Sequence, residues 1–205
     1  MRGLRQFRRS RQATDYPKKF LALASLPRHL ASCYNYSCMA KKVPDVDIAH
    51  LGDDKALAIA AYGEAVAAYR YIVLAEKSAQ SQLRASFEAM AQEESRHRAM
   101  VQDLLRSLFA DACFYLDNRD KSMVCVGPRL VDARDEPRLD EAMKITIASE
   151  KRTASFYARY APAARHGEVR HLFESLAEQA LGRVRRLRQL FHDSGKHIVE
   201  TCPIQ

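Results

Sequence analysis

Phe87-Glu88-Ala89-Met90-Ala91-Gln92-Glu93-Glu94-Ser95-Arg96-His97 is the stretch on which the reading of this chain turns. It belongs to a longer run in which Leu83, Phe87, Met90, Val101, Leu104 and Leu108 recur with helical spacing. Extending that stripe puts Glu94 and His97 on its apolar side. A carboxylate and an imidazole three residues apart on a helix project the same way, so one metal ion reaches both. Burying the two without a partner would cost several kcal/mol. The helix therefore predicts an answering charge inside the protein.

Working outward, a first helix is expected from about Asp53 to Ala79, with Glu64 inside the stripe Leu57, Ala60, Ala61, Ala67, Ala68, Tyr71 and Leu74. Asp53 and Asp54 suit its positive N-terminal end. The second helix, about Ser81 to Ala110, carries the opening motif. Residues 111–137 break the pattern with the turn signals Asp117-Asn118, Gly127-Pro128 and Glu136-Pro137, and Met123 to Val126 reads as briefly extended. Third and fourth helices follow at about Leu139–Ala161 and Gly167–His192, divided by a turn containing Pro162. A helix of about 24 residues is roughly 36 Å long. A linker of about 27 residues covers more than that when extended. The layout predicts an all-α four-helix bundle: two hairpins joined by one long crossover between the second and third helices.

Offsetting the chain by about 86 residues overlays its halves. Glu64 meets Glu150, Tyr71 meets Tyr157, Arg84 meets Arg170, Phe87-Glu88 meets Phe173-Glu174, and Leu104 meets Leu190. The repeat fails at the motif, where Glu94 meets Ala180 and His97 meets Arg183. Glu64, Glu94 and Glu150 all fall on apolar stripes and should enter one interior. Ala180 and Arg183 fall on the matching stripe of the last helix, while His171, Glu174 and Glu178 are rotated away from it.

Composition narrows the class. The chain has 205 residues, 47% of them apolar, enough for one core. No uninterrupted apolar run reaches the roughly 18–20 residues that span a bilayer. Cys33, Cys38, Cys113, Cys125 and Cys202 form no C-x-x-C pair, which argues against a zinc ribbon or rubredoxin-like module. It favours a reducing, cytoplasmic setting, and Cys113 and Cys125 read as ordinary buried thiols. The net charge of +8 is concentrated in residues 1–43, which hold ten Lys/Arg against the single acid Asp15. The remaining 162 residues carry 23 basic and 24 acidic side chains, so nothing marks the body (44–205) as a nucleic-acid binder. The basic leader admits four readings: a flexible tail, a targeting peptide, a lipoprotein signal ending at Cys33, or an upstream extension before a true start at Met39. Arg28 and His29 interrupt the apolar run that a lipoprotein signal needs.

Tyr62-Gly63-Glu64, Phe87 to His97, Ser149-Glu150-Lys151-Arg152 with Phe156-Tyr157, and Leu172 to Glu178 together resemble the ferritin-like superfamily, and within it the rubrerythrin-type di-iron carboxylate proteins. The resemblance covers about residues 53–193. It implies a carboxylate-bridged iron site reacting with oxygen or peroxide, with Glu64 as a terminal ligand, Glu94 as the bridge, His97 on the first iron and Glu150 on the second. The family's second Glu-x-x-His falls on Ala180 and Arg183, so the second iron lacks its bridge and imidazole. Ferritins proper use a set like Glu64, Glu94, His97 and Glu150 without a fourth-helix histidine, but place no arginine there. Dimerisation is implied by the same analogy.

Two functional readings follow. In the first, the chain binds iron, one ion rather than two, with manganese as the other candidate, and carries weak ferroxidase or peroxidase activity fed by an unspecified electron donor. Tyr71 and Tyr157 lie within two turns of the ligands and could relay electrons, though as core aromatics they need no such role. In the second, the bundle is metal-free and Arg183 neutralises the core carboxylates; a blander variant sends the long Arg183 side chain to the surface.

Overall fold

The computed structural model describes residues 48–127 and 139–193, and within these every regular element is helical. Helices α1 (Asp53–Lys77) and α2 (Ser81–Leu108) form the first hairpin. A short α3 (Asn118–Ser122) lies in the crossover, and α4 (Leu139–Tyr160) with α5 (Gly167–Asp193) forms the second hairpin. This is the all-α ferritin-like bundle that the periodicity predicts. The leader, residues 1–43, lies outside the described residues, as do Cys33, Met39 and positions 128–138.

The helix ends have local causes. α1 stops at Lys77, two residues short of expectation, because Ser78 turns extended while its Oγ donates to Leu74 O (2.6 Å). α4 gives way at Tyr160 to a 3₁₀ turn, Ala161–Ala163, where Pro162 disfavours continued α geometry at the residue before it. Asp117 and Asp120 cap α3 reciprocally, each side chain accepting from the other's backbone N–H (2.8 and 3.1 Å). That small helix was not foreseen.

Two apolar clusters bracket the middle of the bundle. One gathers Leu57, Phe156, Tyr160, Phe173 and Leu176; the other gathers Tyr71, Phe87, Met90, Met143 and Leu187. Between them lies a polar layer holding the motif residues. α1 is long and apolar enough to cross a membrane by composition, with mean hydropathy 1.3, but 56% of that window is buried within the bundle.

The expected strand-like segment Met123–Val126 contains no strand. Its backbone is instead gripped by side chains of the bundle. Thr153 Oγ1 donates to Val124 O (2.9 Å), Arg152 to Cys125 O (3.2 Å), Arg70 to Val126 O (2.6 Å), and Val126 N–H donates to Ser149 Oγ (2.9 Å). Gly63 permits this approach, since a Cβ there would meet the Val124 Cβ at 3.0 Å. The thiols part company: Cys125 is buried, but Cys113 is exposed, contrary to the expected buried pair.

Candidate metal centre

Glu64 on α1, Glu94 and His97 on α2, and Glu150 on α4 are all buried, as are Ala180 and Arg183 on α5. One donor atom from each of Glu64, Glu94 and His97 lies within 4.8 Å of the others. His97 Nδ1 is 3.3 Å from Glu94 Oε2 and 3.5 Å from Glu64 Oε2. Glu150 stands apart from this trio. Its Oε1 accepts from the Tyr71 hydroxyl (2.9 Å) and its Oε2 accepts from Arg183 Nε (3.1 Å).

Arg183 does not reach for solvent. At 1% exposure it lies inside the bundle, pairing its Nε with Glu94 Oε1 as well as with Glu150. The surface-directed alternative is thereby corrected, because one short step from the helix places the guanidinium among three carboxylates. Ala180 leaves the space beside it without a ligand. Outside the centre, the half-exposed Arg186 binds Glu93 in bidentate fashion (3.0 and 2.5 Å).

The tyrosines make a contact that sequence spacing did not resolve. Tyr71 on α1 donates to Glu150 on α4, and Tyr157 on α4 donates to Glu64 on α1. The repeat that pairs Glu64 with Glu150 and Tyr71 with Tyr157 is thus a structural two-fold relation, each half supplying the hydroxyl for the other half's carboxylate. Burial, then the nearby glutamates, hold both phenols well above the usual tyrosine range. Each therefore keeps its proton and donates it to a carboxylate.

The electrostatics divide the carboxylates. Burial pushes Glu64 up, but the adjacent Glu94 and His97, the Arg183 charge and the Tyr157 hydroxyl together bring it down to about 2. Burial, then repulsion from Glu64 and Glu150, drives Glu94 well above the ordinary carboxylate range despite Arg183. Burial likewise raises Glu150 against the pull of Arg183. Without metal, these neighbouring carboxylates compete for charge, with Glu64 favoured to carry it and Glu94 pushed toward its neutral form.

Two carboxylates and one imidazole form an oxygen-rich donor set that suits iron or manganese. Among the described residues, Glu64 Oε2 has no hydrogen-bond partner, and Glu94 Oε1 faces Arg183 as an ion pair without hydrogen-bond geometry. Unsatisfied buried carboxylate oxygens beside an imidazole fit one divalent ion. A second ion does not fit equally, since a guanidinium holds that side.

Comparison with known proteins bears on the fold and the family. No curated protein matched the chain. A hypothetical protein from Pyrococcus furiosus shares the fold, with a TM-score of 0.61 at 21% identity over 74% of this chain and 97% of that one. The sequence model of the family described as Rubrerythrin matches residues 55–190, the span of the four long helices and all six motif positions. With bundle topology and family match coinciding, the chain belongs to the rubrerythrin family, as a ferritin-like bundle whose core Glu/His group could hold a metal.

Proposed function

We propose that the chain binds a single iron ion through Glu64, Glu94 and His97, and that it is an oxidoreductase of low activity toward oxygen or peroxide. The observation that carries this reading is the convergence of those three donors within 4.8 Å, with Glu64 Oε2 accepting no hydrogen bond among the described residues. When bound, iron would supply one-electron chemistry at a buried site. The chain's own contribution is positional. Tyr157 fixes one Glu64 oxygen and turns the other toward His97, while Tyr71 and Arg183 hold Glu150. In this reading Glu150 is the counter-ion of Arg183, and Arg183 takes the charge role of a second iron. The homodimer and the cytoplasmic setting are carried by family analogy and thiol usage respectively.

A second reading is favoured by the Arg183 pairs: a metal-free bundle in which Arg183 neutralises the core carboxylates. Metal analysis of protein expressed in iron-replete medium separates the two. Up to one iron per chain supports the first, and protein free of iron overturns it. The double variant Ala180→Glu, Arg183→His should raise the metal content by about one ion per chain.

A further inference from the structure

Each long helix brings charge to the ligand layer. α1 contributes the carboxylate of Glu64, α2 that of Glu94 beside the His97 imidazole, α4 that of Glu150, and α5 the guanidinium of Arg183. These four charged groups are at most 2% exposed, so solvent screens them little. Tyr71 and Tyr157 donate hydrogen bonds to the layer but add no charge. Glu93, next to the ligands on α2, is matched by Arg186 at the surface. The other buried arginine, Arg70, directs both Nη donors to neutral acceptors, Ser149 Oγ and Val126 O.

A metal ion takes its protein ligands as carboxylates and neutral imidazole. Three carboxylates and one guanidinium then leave two net negative charges in the core. A divalent ion cancels them. A trivalent ion leaves one positive charge unanswered, where an unpaired buried charge is heavily penalised. Without Arg183 the balance reverses, and three negative charges match a trivalent ion. We propose that Arg183 sets the valence of the bound ion: by cancelling one of the three core carboxylates, it makes the centre hold divalent iron or manganese and disfavour trivalent ions. Arg183 acts through its charge and is not a ligand, which makes it a specificity-determining residue of the centre. The inference rests on the reading that Glu64, Glu94 and His97 hold an ion. It also gives the low oxidative activity of that reading a cause, because an ion oxidised here becomes the form that the core disfavours.

The test measures binding rather than turnover. Mn(II) serves as the divalent probe and Ga(III), supplied as its citrate complex, as the trivalent one. Affinities for the full chain come from equilibrium dialysis with elemental analysis. Arg183→Met removes the positive charge of the core, and Glu150→Gln removes one negative charge while keeping the side-chain shape. Comparing the Ga(III)-to-Mn(II) affinity ratio between proteins cancels the ligand preferences of the ions themselves. Relative to wild type, the ratio should rise about a hundredfold in Arg183→Met and fall by about tenfold or more in Glu150→Gln, the scale of one unit charge acting across several ångströms of protein interior. A ratio that stays constant or moves the other way in either folded variant, with Mn(II) bound by wild type, would overturn this inference and leave the ion-binding reading standing. A wild type that binds neither ion would overturn that reading and this inference with it. Should Arg183→Met not fold, Glu150→Gln carries the comparison alone.

Discussion

Replacing Arg183 with methionine tests the charge logic of the core directly. The guanidinium is 1% exposed and sits between Glu94 at 0% and Glu150 at 2%. Methionine keeps most of the stem's bulk but removes the guanidinium paired with both of these carboxylates. Breaking a buried pair by deleting one partner costs about 3–5 kcal/mol. For a body of this size each kcal/mol moves Tm by about 2–4 °C, so metal-free Arg183→Met should melt about 6–20 °C below wild type near neutral pH. The pH dependence has a definite sign. Glu94 and Glu150 already have raised values, so their contribution is present at low pH and is lost as pH rises through their folded values. Without Arg183 they are raised further, so the deficit is largest above the ordinary carboxylate value of 4.5 and shrinks as acid protonates them. Circular dichroism melts at about pH 7.5 and about pH 4 measure both effects. Divalent manganese at about 100 times its Kd should restore about 2.7 kcal/mol to the variant. A variant as stable as wild type at both pH values would refute the claim that Arg183 answers the buried charge.

The remaining predictions concern the groups around that core. Tyr157→Phe should cost about 1–3 kcal/mol in a denaturant titration by leaving a Glu64 oxygen unpaired, and Tyr71→Phe should do the same through Glu150. Burial and the neighbouring carboxylates disfavour the charged form of Glu94, so metal binding there should release protons, read by calorimetry in buffers of different ionisation enthalpy. Asp53 accepts from Tyr160 (2.5 Å), from His166 Nδ1 (2.6 Å) and from the backbone N–H groups of Arg165 and His166 at the start of α5. Burial opposes ionisation of Asp53, but these donors hold it below its usual 3.8. Asp53→Ala should therefore cost about 2 kcal/mol above that pH, and the gap in Tm should close as pH falls below it. Gly63→Val should melt lower than wild type because its side chain collides with Val124.

The periodic parts of this structure were legible in the sequence. All four long helices fall within about two residues of their expected ends, because apolar spacing and turn residues fix them locally. Burial of Glu64, Glu94, His97, Glu150 and Ala180 followed from stripe and repeat, whereas Arg183 was left with a route to the surface that the structure closes. What spacing could not say is which partner each group takes. Tyr71 lies two turns from Glu64 on its own helix yet bonds Glu150, a choice that only hairpin docking makes. Nothing in the spacing of α1 foretells that Arg70 donates to the backbone of the crossover at Val126. Asp53 looks like a favourable residue for the start of its own helix, and instead secures the start of α5 across the bundle end. Each of these contacts joins residues more than 50 positions apart.

The exchanged tyrosines also bear on how the centre comes into being. Neither hairpin can complete its own half: α1 holds Glu64 but its hydroxyl arrives from α4, and α4 holds Glu150 but its hydroxyl arrives from α1. Sliding one hairpin by a helical turn, about 5.4 Å, would break both bonds together. The pair works as a registration key, so that a competent centre and a correctly seated bundle are one event in folding. A nascent first hairpin, although it carries Glu64, Glu94 and His97, does not yet hold them in position for a metal.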